Sequence, residues 1–236
     1  MTMKNLKYIA LILVLLIAPE MNAQMRTVVS LTGVVLDAIS KQPIGVNVEI
    51  YDSGNKRVQK VTSNAKTGVY FATSLKPGET YEVRIAEFNY MRQSVVVSFP
   101  KTDKYAEFSR DLTLIPKKSG TKIELPFKAF GLHKSTLKFG SNVLLQDFIN
   151  LFKGNLTVNF KIISFPDEIG DPNQNMQLTQ ARAESLRHFF IDNGIQANRI
   201  STMGNNTTDP NNPPPTGNAS KGKRYTGTCY LVIEEF

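Results

Sequence analysis

Between Phe165 and Arg187 the chain reads FPDEIGDPNQNMQLTQARAESLR, and this stretch places one carboxylate and one guanidinium where a single zwitterionic ligand could bridge them. Asp167 follows an apolar run expected to be a strand (Thr157 to Ser164, TVNFKIIS). Arg182 falls early in an expected helix, with Thr179 as N-cap, Ala183, Leu186, Phe189 and Phe190 at helical spacing, and Asn193-Gly194 as the stop. On that reading Arg182 is the third helical residue, and both charges are exposed. The unpartnered N–H groups of a first helical turn, together with Arg182, make a receptor for a ligand carboxylate. Asp167 would take the ammonium. Charge-assisted hydrogen bonds of this kind contribute about 1.5–3 kcal/mol each, enough for a selective and modest affinity. In an arbitrary protein the same two residues more often form an ordinary surface ion pair. The register of the residues around them favours the ligand site.

That register resembles the OmpA-like C-terminal domain, a peptidoglycan-binding module with the motif T-D-x-x-G followed by N-x-x-L-S-x-x-R-A. This chain has P-D-E-I-G at Pro166 to Gly170 and N-M-Q-L-T-Q-A-R-A at Asn175 to Ala183. The resemblance runs from about Ile123 to the C-terminus and includes Asn193 to Gly204 (NGIQANRISTMG), similar to a G-x-x-x-x-R-I-x-x-x-G segment. It implies that Asp167 and Arg182 hold the amino and carboxylate groups of diaminopimelate in a peptidoglycan stem peptide, with Asn175 shaping the loop. It also marks Arg224, within Gly222-Lys223-Arg224-Tyr225, as the counterpart of a supporting arginine. Two departures stand out: Ser164-Phe165-Pro166 replaces the polar G-H-T before the aspartate, and the later N-R-R-V signature is degraded.

The N-terminus bears on compartment. Lys4 and Lys7 precede an apolar run from Tyr8 to Ala18, with a cleavage point between Ala23 and Gln24, so residues 1–23 read as a secretory signal. The run is shorter than the roughly 20 residues of a transmembrane helix. The single cysteine, Cys229, lies far from this segment, which argues against a lipoprotein signal; one cysteine cannot form an internal disulfide, and a small core residue is the expectation for it. The formal charge of +8 becomes +7 without residues 1–23. A basic excess of this size suits an anionic polymer, but export and the lack of a recognition motif argue against nucleic acid.

From Val28 to about Pro116 short alternating runs separated by turn residues predict about seven strands in an all-β antiparallel sandwich, assigned to residues 24–116. These residues resemble the carboxypeptidase regulatory-like domain, through Gly33-Val34-Val35-Leu36-Asp37, Pro43 to Val48, Gly68-Val69-Tyr70-Phe71 and Pro77 to Tyr81. That name implies no peptidase activity. His133 and His188 stand far apart without matching carboxylates, so no metal site and no cofactor is expected. An outer-membrane barrel does not fit in about 90 residues.

Residues 117–122 read as a linker and 123–236 as an α+β domain in the order β-α-β-α-β-β, a mixed sheet with its helices on one face. Its strands are expected at ELPFKAF, TVNFKIIS, RISTM and TGTCYLVIE. A helix is expected over Ser141 to Lys153, with Val143, Leu144, Phe148, Leu151 and Phe152 as its buried stripe, and Asn205 to Lys223, rich in proline, as a long exposed loop. No Ser/His/Asp, Cys/His or paired-carboxylate arrangement suggests an enzyme. The expected function is a non-catalytic periplasmic protein of a Gram-negative-type envelope. It grips peptidoglycan with its C-terminal domain and tethers an outer-membrane or periplasmic partner through the sandwich. The alternative is a scaffold or assembly subunit that has lost peptidoglycan binding.

Overall fold

The structure, a computed structural model, describes residues 27–215 and 225–236. The expected signal segment and Arg224 lie outside those residues. The N-terminal region is built from β1 (Val29–Asp37), β2 (Asn47–Tyr51), β3 (Arg57–Thr62), β4 (Val69–Leu75), β5 (Thr80–Ile85), β6 (Gln93–Ser98), β7 (Ala106–Ser109) and β8 (Leu112–Leu114). One sheet runs β3-β2-β5-β6; in the other β1 lies between β4 and β7, and β8 also pairs with β1. Alternation does the work that the sequence promises: Val48 and Ile50 of β2 and Tyr81, Val83 and Ile85 of β5 enter one core, while Asn47, Glu49, Glu82 and Arg84 remain partly wet.

There are eight strands rather than about seven, because FSRDLTLI breaks at Arg110-Asp111. There the Asp111 carboxylate accepts the Val34 N–H at 2.8 Å, taking the place of a neighbouring strand. The Arg110 carbonyl lies so close to Gly33 that a Cβ there would sit 2.1 Å from it. Tyr70 donates its hydroxyl to the same carbonyl.

The C-terminal domain contains β9 (Lys122–Glu124), helix α1 (Ser141–Lys153), β10 (Asn159–Ser164), helix α2 (Pro172–Asp192), β11 (Ile200–Gly204) and β12 (Cys229–Glu235). The sheet order is β11-β10-β12-β9, with β10 and β11 parallel and the other neighbours antiparallel. The ELPFKAF strand is cut short: β9 ends at Glu124, and the chain then leaves the sheet to cross the end of the domain. The α1 stripe also differs from expectation. Leu145, Ile149 and Phe152 are fully buried, whereas Val143 and Leu144 are exposed, so the apolar face is turned by about one residue from the one predicted. Phe152 stacks on Phe160 at 3.7 Å between centroids, and Phe190 of α2 meets both rings edge-on. Cys229 is a buried member of this core, and burial pushes its thiol pKa up.

Arg199 is almost wholly buried and donates to the carbonyls of Phe152, Asn155 and Val158. A guanidinium at the C-terminal end of α1 satisfies carbonyls the helix leaves without partners and meets the negative end of its dipole.

The segment expected to be a linker is pinned. Lys117 N–H donates to Asn89 O, Gly120 N–H to Ile233 O, and Ile233 N–H to Thr121 O. From the sandwich, Met91 is fully buried within the C-terminal core, and Asn155 both accepts from the Arg92 N–H and donates to the Arg92 carbonyl. Replacing Met91 by Ala should therefore cost about 2–5 kcal/mol and be felt in the C-terminal domain. Amide exchange in α2 should accelerate as much as exchange in the sandwich; a loss confined to the sandwich would contradict the shared core.

Candidate ligand-binding site

Asp167 and Arg182 are brought together, but not as an open receptor. Asp167 follows β10 through Phe165-Pro166, and Phe165 N–H is tied to Thr228 O. Arg182 projects from the middle of α2, not from its first turn. The helix starts at Pro172, with the Asp171 side chain accepting the N–H groups of Asn173 and Gln174 at 2.8 and 2.9 Å, so the cap lies at Asp171 rather than Thr179. Arg182 is about three turns further on, and the free N–H groups of the helix start are not part of its surroundings. Thr179 is instead buried within the helix and donates to the carbonyls of Asn175 and Asn205. Its environment is tight: a Cβ on Gly204 of β11 would lie 2.6 Å from its hydroxyl.

The two charges are sealed, with Asp167 4% exposed and Arg182 fully buried. The guanidinium meets the carboxylate in a bidentate pair at 2.7 and 2.8 Å. Two further N–H groups go to Lys134 O at 2.8 Å and Gly131 O at 2.9 Å, and the guanidinium carbon sits 5.4 Å from the Phe130 ring centroid. Asp167 also accepts the N–H groups of His133 at 2.7 Å and Gly227 at 2.8 Å. Four of the five guanidinium N–H groups and both carboxylate oxygens thus find protein partners, which is the condition for keeping an ion pair out of water. The expectation that these charges are exposed is corrected by this geometry: residues 131–134 cross over Arg182 and close the gap in which a ligand was expected.

Asn175 is buried, and its side-chain hydrogen bonds go to backbone carbonyls rather than to the pair. Its side-chain amide donates to Glu168 O at 3.1 Å and Asn206 O at 3.3 Å, so it fastens the loop after Asp167 to the loop after β11. His133 is exposed in side chain, has a left-handed φ of 53°, and holds its ring 3.8 Å from the Glu168 carboxylate. Gly227 is the tightest position: a Cβ there would lie 1.9 Å from Phe165 O.

A second buried acid was not anticipated by the sequence. Asp209 has no exposure and accepts the hydroxyls of Thr228 and Tyr230, each at 2.6 Å, and the Asn211 N–H. It anchors the described part of the proline-rich segment against β12, so that segment is not a free loop up to Asn212. The sequence signal was an Asp-Pro within a polar stretch, which reads equally well as a solvated turn.

Among the described residues no cluster of three or more His, Cys, Asp or Glu could hold a metal, and no helix is long and apolar enough to cross a membrane. Two surface clefts, of about 600 Å³ along β10, β11 and β12 and about 950 Å³ between the sandwich and α1, lie away from the ion pair.

Residues 129–224 match the OmpA family. Outer membrane protein A of Yersinia pseudotuberculosis is 33% identical over 87 residues, which is 34% of this chain and 24% of that protein, so the chain spans about a quarter of the relative's length. Among solved structures, the peptidoglycan-associated lipoprotein of Burkholderia pseudomallei is similar at 19% identity and a TM-score of 0.37, over 50% of this chain and 91% of that one. The periplasmic domain of Helicobacter pylori MotB is similar at 10% identity and a TM-score of 0.38, over 65% and 82%. The OmpA-like region contains Asp167, Asn175, Arg182 and Arg224.

Burial pushes the Asp167 carboxyl up, but the Arg182 bonds and the N–H groups of His133 and Gly227 outweigh it and hold the pKa below the ordinary 3.8. A depressed native pKa means the unfolded chain binds more protons in that range, so stability rises with pH there. Asp167 contributes fully above the ordinary carboxylate range, and the contribution is lost as pH falls below about 4. In acid titrations followed by circular dichroism, Asp167→Asn should be less stable than the parent at pH 7, by about 3–5 kcal/mol, with the gap narrowing towards pH 2. A constant gap would contradict the assignment.

Proposed function

We propose that this chain is a non-catalytic cell-envelope protein whose OmpA-like domain binds peptidoglycan, receiving the diaminopimelate end group of a stem peptide between Asp167 and Arg182. The sandwich docks an envelope partner, and the pinned Lys117–Thr121 segment makes the connection between the two functions stiff. The observation that carries the reading is that the two residues marked by the motif already form a matched pair of opposite charges, closed upon each other.

Such a pair can exchange partners. A ligand ammonium replaces the guanidinium on Asp167, and a ligand carboxylate replaces Asp167 on Arg182, so each charge keeps an opposite one. What must move is the segment from Gly131 to Lys134. It is bound to the pair through backbone atoms, the carbonyls of Gly131 and Lys134 and the N–H of His133. His133 holds its left-handed φ at a backbone cost of about 1 kcal/mol, which lowers the cost of opening.

One observation favours a second reading: the pair is sealed and bonded through four of the five guanidinium N–H groups, as in a domain that keeps the fold as a scaffold and has lost its ligand. Sedimentation with purified sacculi separates the two. Peptidoglycan binding predicts that the parent protein co-sediments, that free diaminopimelate releases it, and that Arg182→Ala, shown to be folded by circular dichroism, stays in the supernatant. Absence of the parent from the pellet supports the scaffold. Co-sedimentation that diaminopimelate leaves unchanged would place recognition on the glycan instead and overturn the proposed clamp.

A further inference from the structure

Strand β6 is an outer strand, paired with β5 alone. Phe99 N–H donates to Glu79 O, which fixes the alternation of this antiparallel ladder: Val97, Val95 and Gln93 bond towards β5, and Ser94, Val96 and Ser98 turn their N–H and C=O groups to the open edge. Edges of this kind are normally blunted by charge, proline or a bulge. The opposite edge of the same sheet follows that rule, since β3 carries Arg57 and Lys60 and its register against β2 shifts. β6 reads QSVVVS, has an unbroken register, and leaves Val96 67% exposed.

The strand borders the cleft of about 950 Å³, whose other wall includes Phe148 and Leu151 of α1. Arg92 and Arg110 also line it, and among the described residues neither has an ion-pair partner. The acids that line the cleft are largely spent: Glu49 is paired with Arg57 and Glu82 with Arg84, which leaves Asp147 against the two unpaired guanidiniums in the charge balance of the lining.

We propose that the β6 edge is a docking strand for an extended acidic peptide segment of a partner protein. The peptide adds a fifth strand to this four-stranded sheet, bonding to Ser94, Val96 and Ser98. Main-chain bonds supply the affinity and alternate side chains the selectivity. Its carboxylates meet Arg92 and Arg110, and an apolar side chain enters between Val96 and Phe148. A second copy of this chain is a poorer occupant, because edge-to-edge pairing brings both copies' Arg92 and Arg110 into one interface. The inference is independent of peptidoglycan binding.

The test uses the soluble chain from Gln24 to Phe236 and a short peptide alternating valine and aspartate, with a valine–lysine peptide of equal length beside it. Amide exchange read by mass spectrometry should show protection across Ser94–Ser98 with the acidic peptide and none with the basic one. Arg92→Glu combined with Arg110→Glu should weaken binding about tenfold or more, these side chains being exposed and removed from both cores. Val96→Pro should abolish it with little loss of stability, since the lost N–H faces the open edge. Equal protection by both peptides, or none by the acidic peptide, overturns the proposal. So does concentration-dependent dimerisation that Val96→Pro removes, which would assign the edge to self-association.

Discussion

The bidentate contact between Asp167 and Arg182 organises one whole end of the C-terminal domain. Four stretches of chain converge on it: the crossing segment at Gly131 to Lys134, the exit of β10, the middle of α2, and the approach to β12 at Gly227. Burying two charges is expensive, and the cost is offset only because nearly every donor and acceptor finds a partner. This demand explains the crowding around it. Gly227 must be a glycine because the Phe165 carbonyl lies where a Cβ would be, and Gly204 must be one because α2 presses its Thr179 against β11. The same demand keeps the segment after β9 out of the sheet, since its carbonyls are needed to cap the guanidinium.

Much of this was legible in the sequence, but the part that was not has a common cause. Alternation in VNVEIYD and TYEVRIA located the sandwich strands, because a half-buried strand repeats every two residues. The bounds of α1 and the Asn193-Gly194 stop of α2 follow from glycine and capping chemistry that acts locally. The start of α2 was misread because PNQNMQLT is polar and shows no apolar stripe. Its stabilising features, Asp171 as cap and Pro172 behind it, were present but less conspicuous than Thr179. The sealing of the ion pair was not legible at all. Burial of Arg182 is set by carbonyls at Gly131 and Lys134, far away in sequence, and backbone carbonyls leave no trace in residue types. Asp209 and Arg199 belong to the same class: charged residues that look solvated in a string and become internal braces once the chain closes around them.

The two domains share more than a connecting segment. Met91 from the sandwich fills the C-terminal core, and Asn155 clamps the backbone of Arg92. The sandwich is therefore packed into the C-terminal core rather than hung from it by a free linker, as the proposed tethering role requires. It also leaves the β6 edge and its cleft on the surface where sandwich and helix α1 meet.

The most direct measurement is a crystal structure of the protein grown with diaminopimelate. The account predicts the ligand ammonium on Asp167, its carboxylate on Arg182, the pair no longer in direct contact, and residues 131–134 displaced. A structure with saturating diaminopimelate present, the Asp167–Arg182 contact intact and no ligand against either side chain would contradict it.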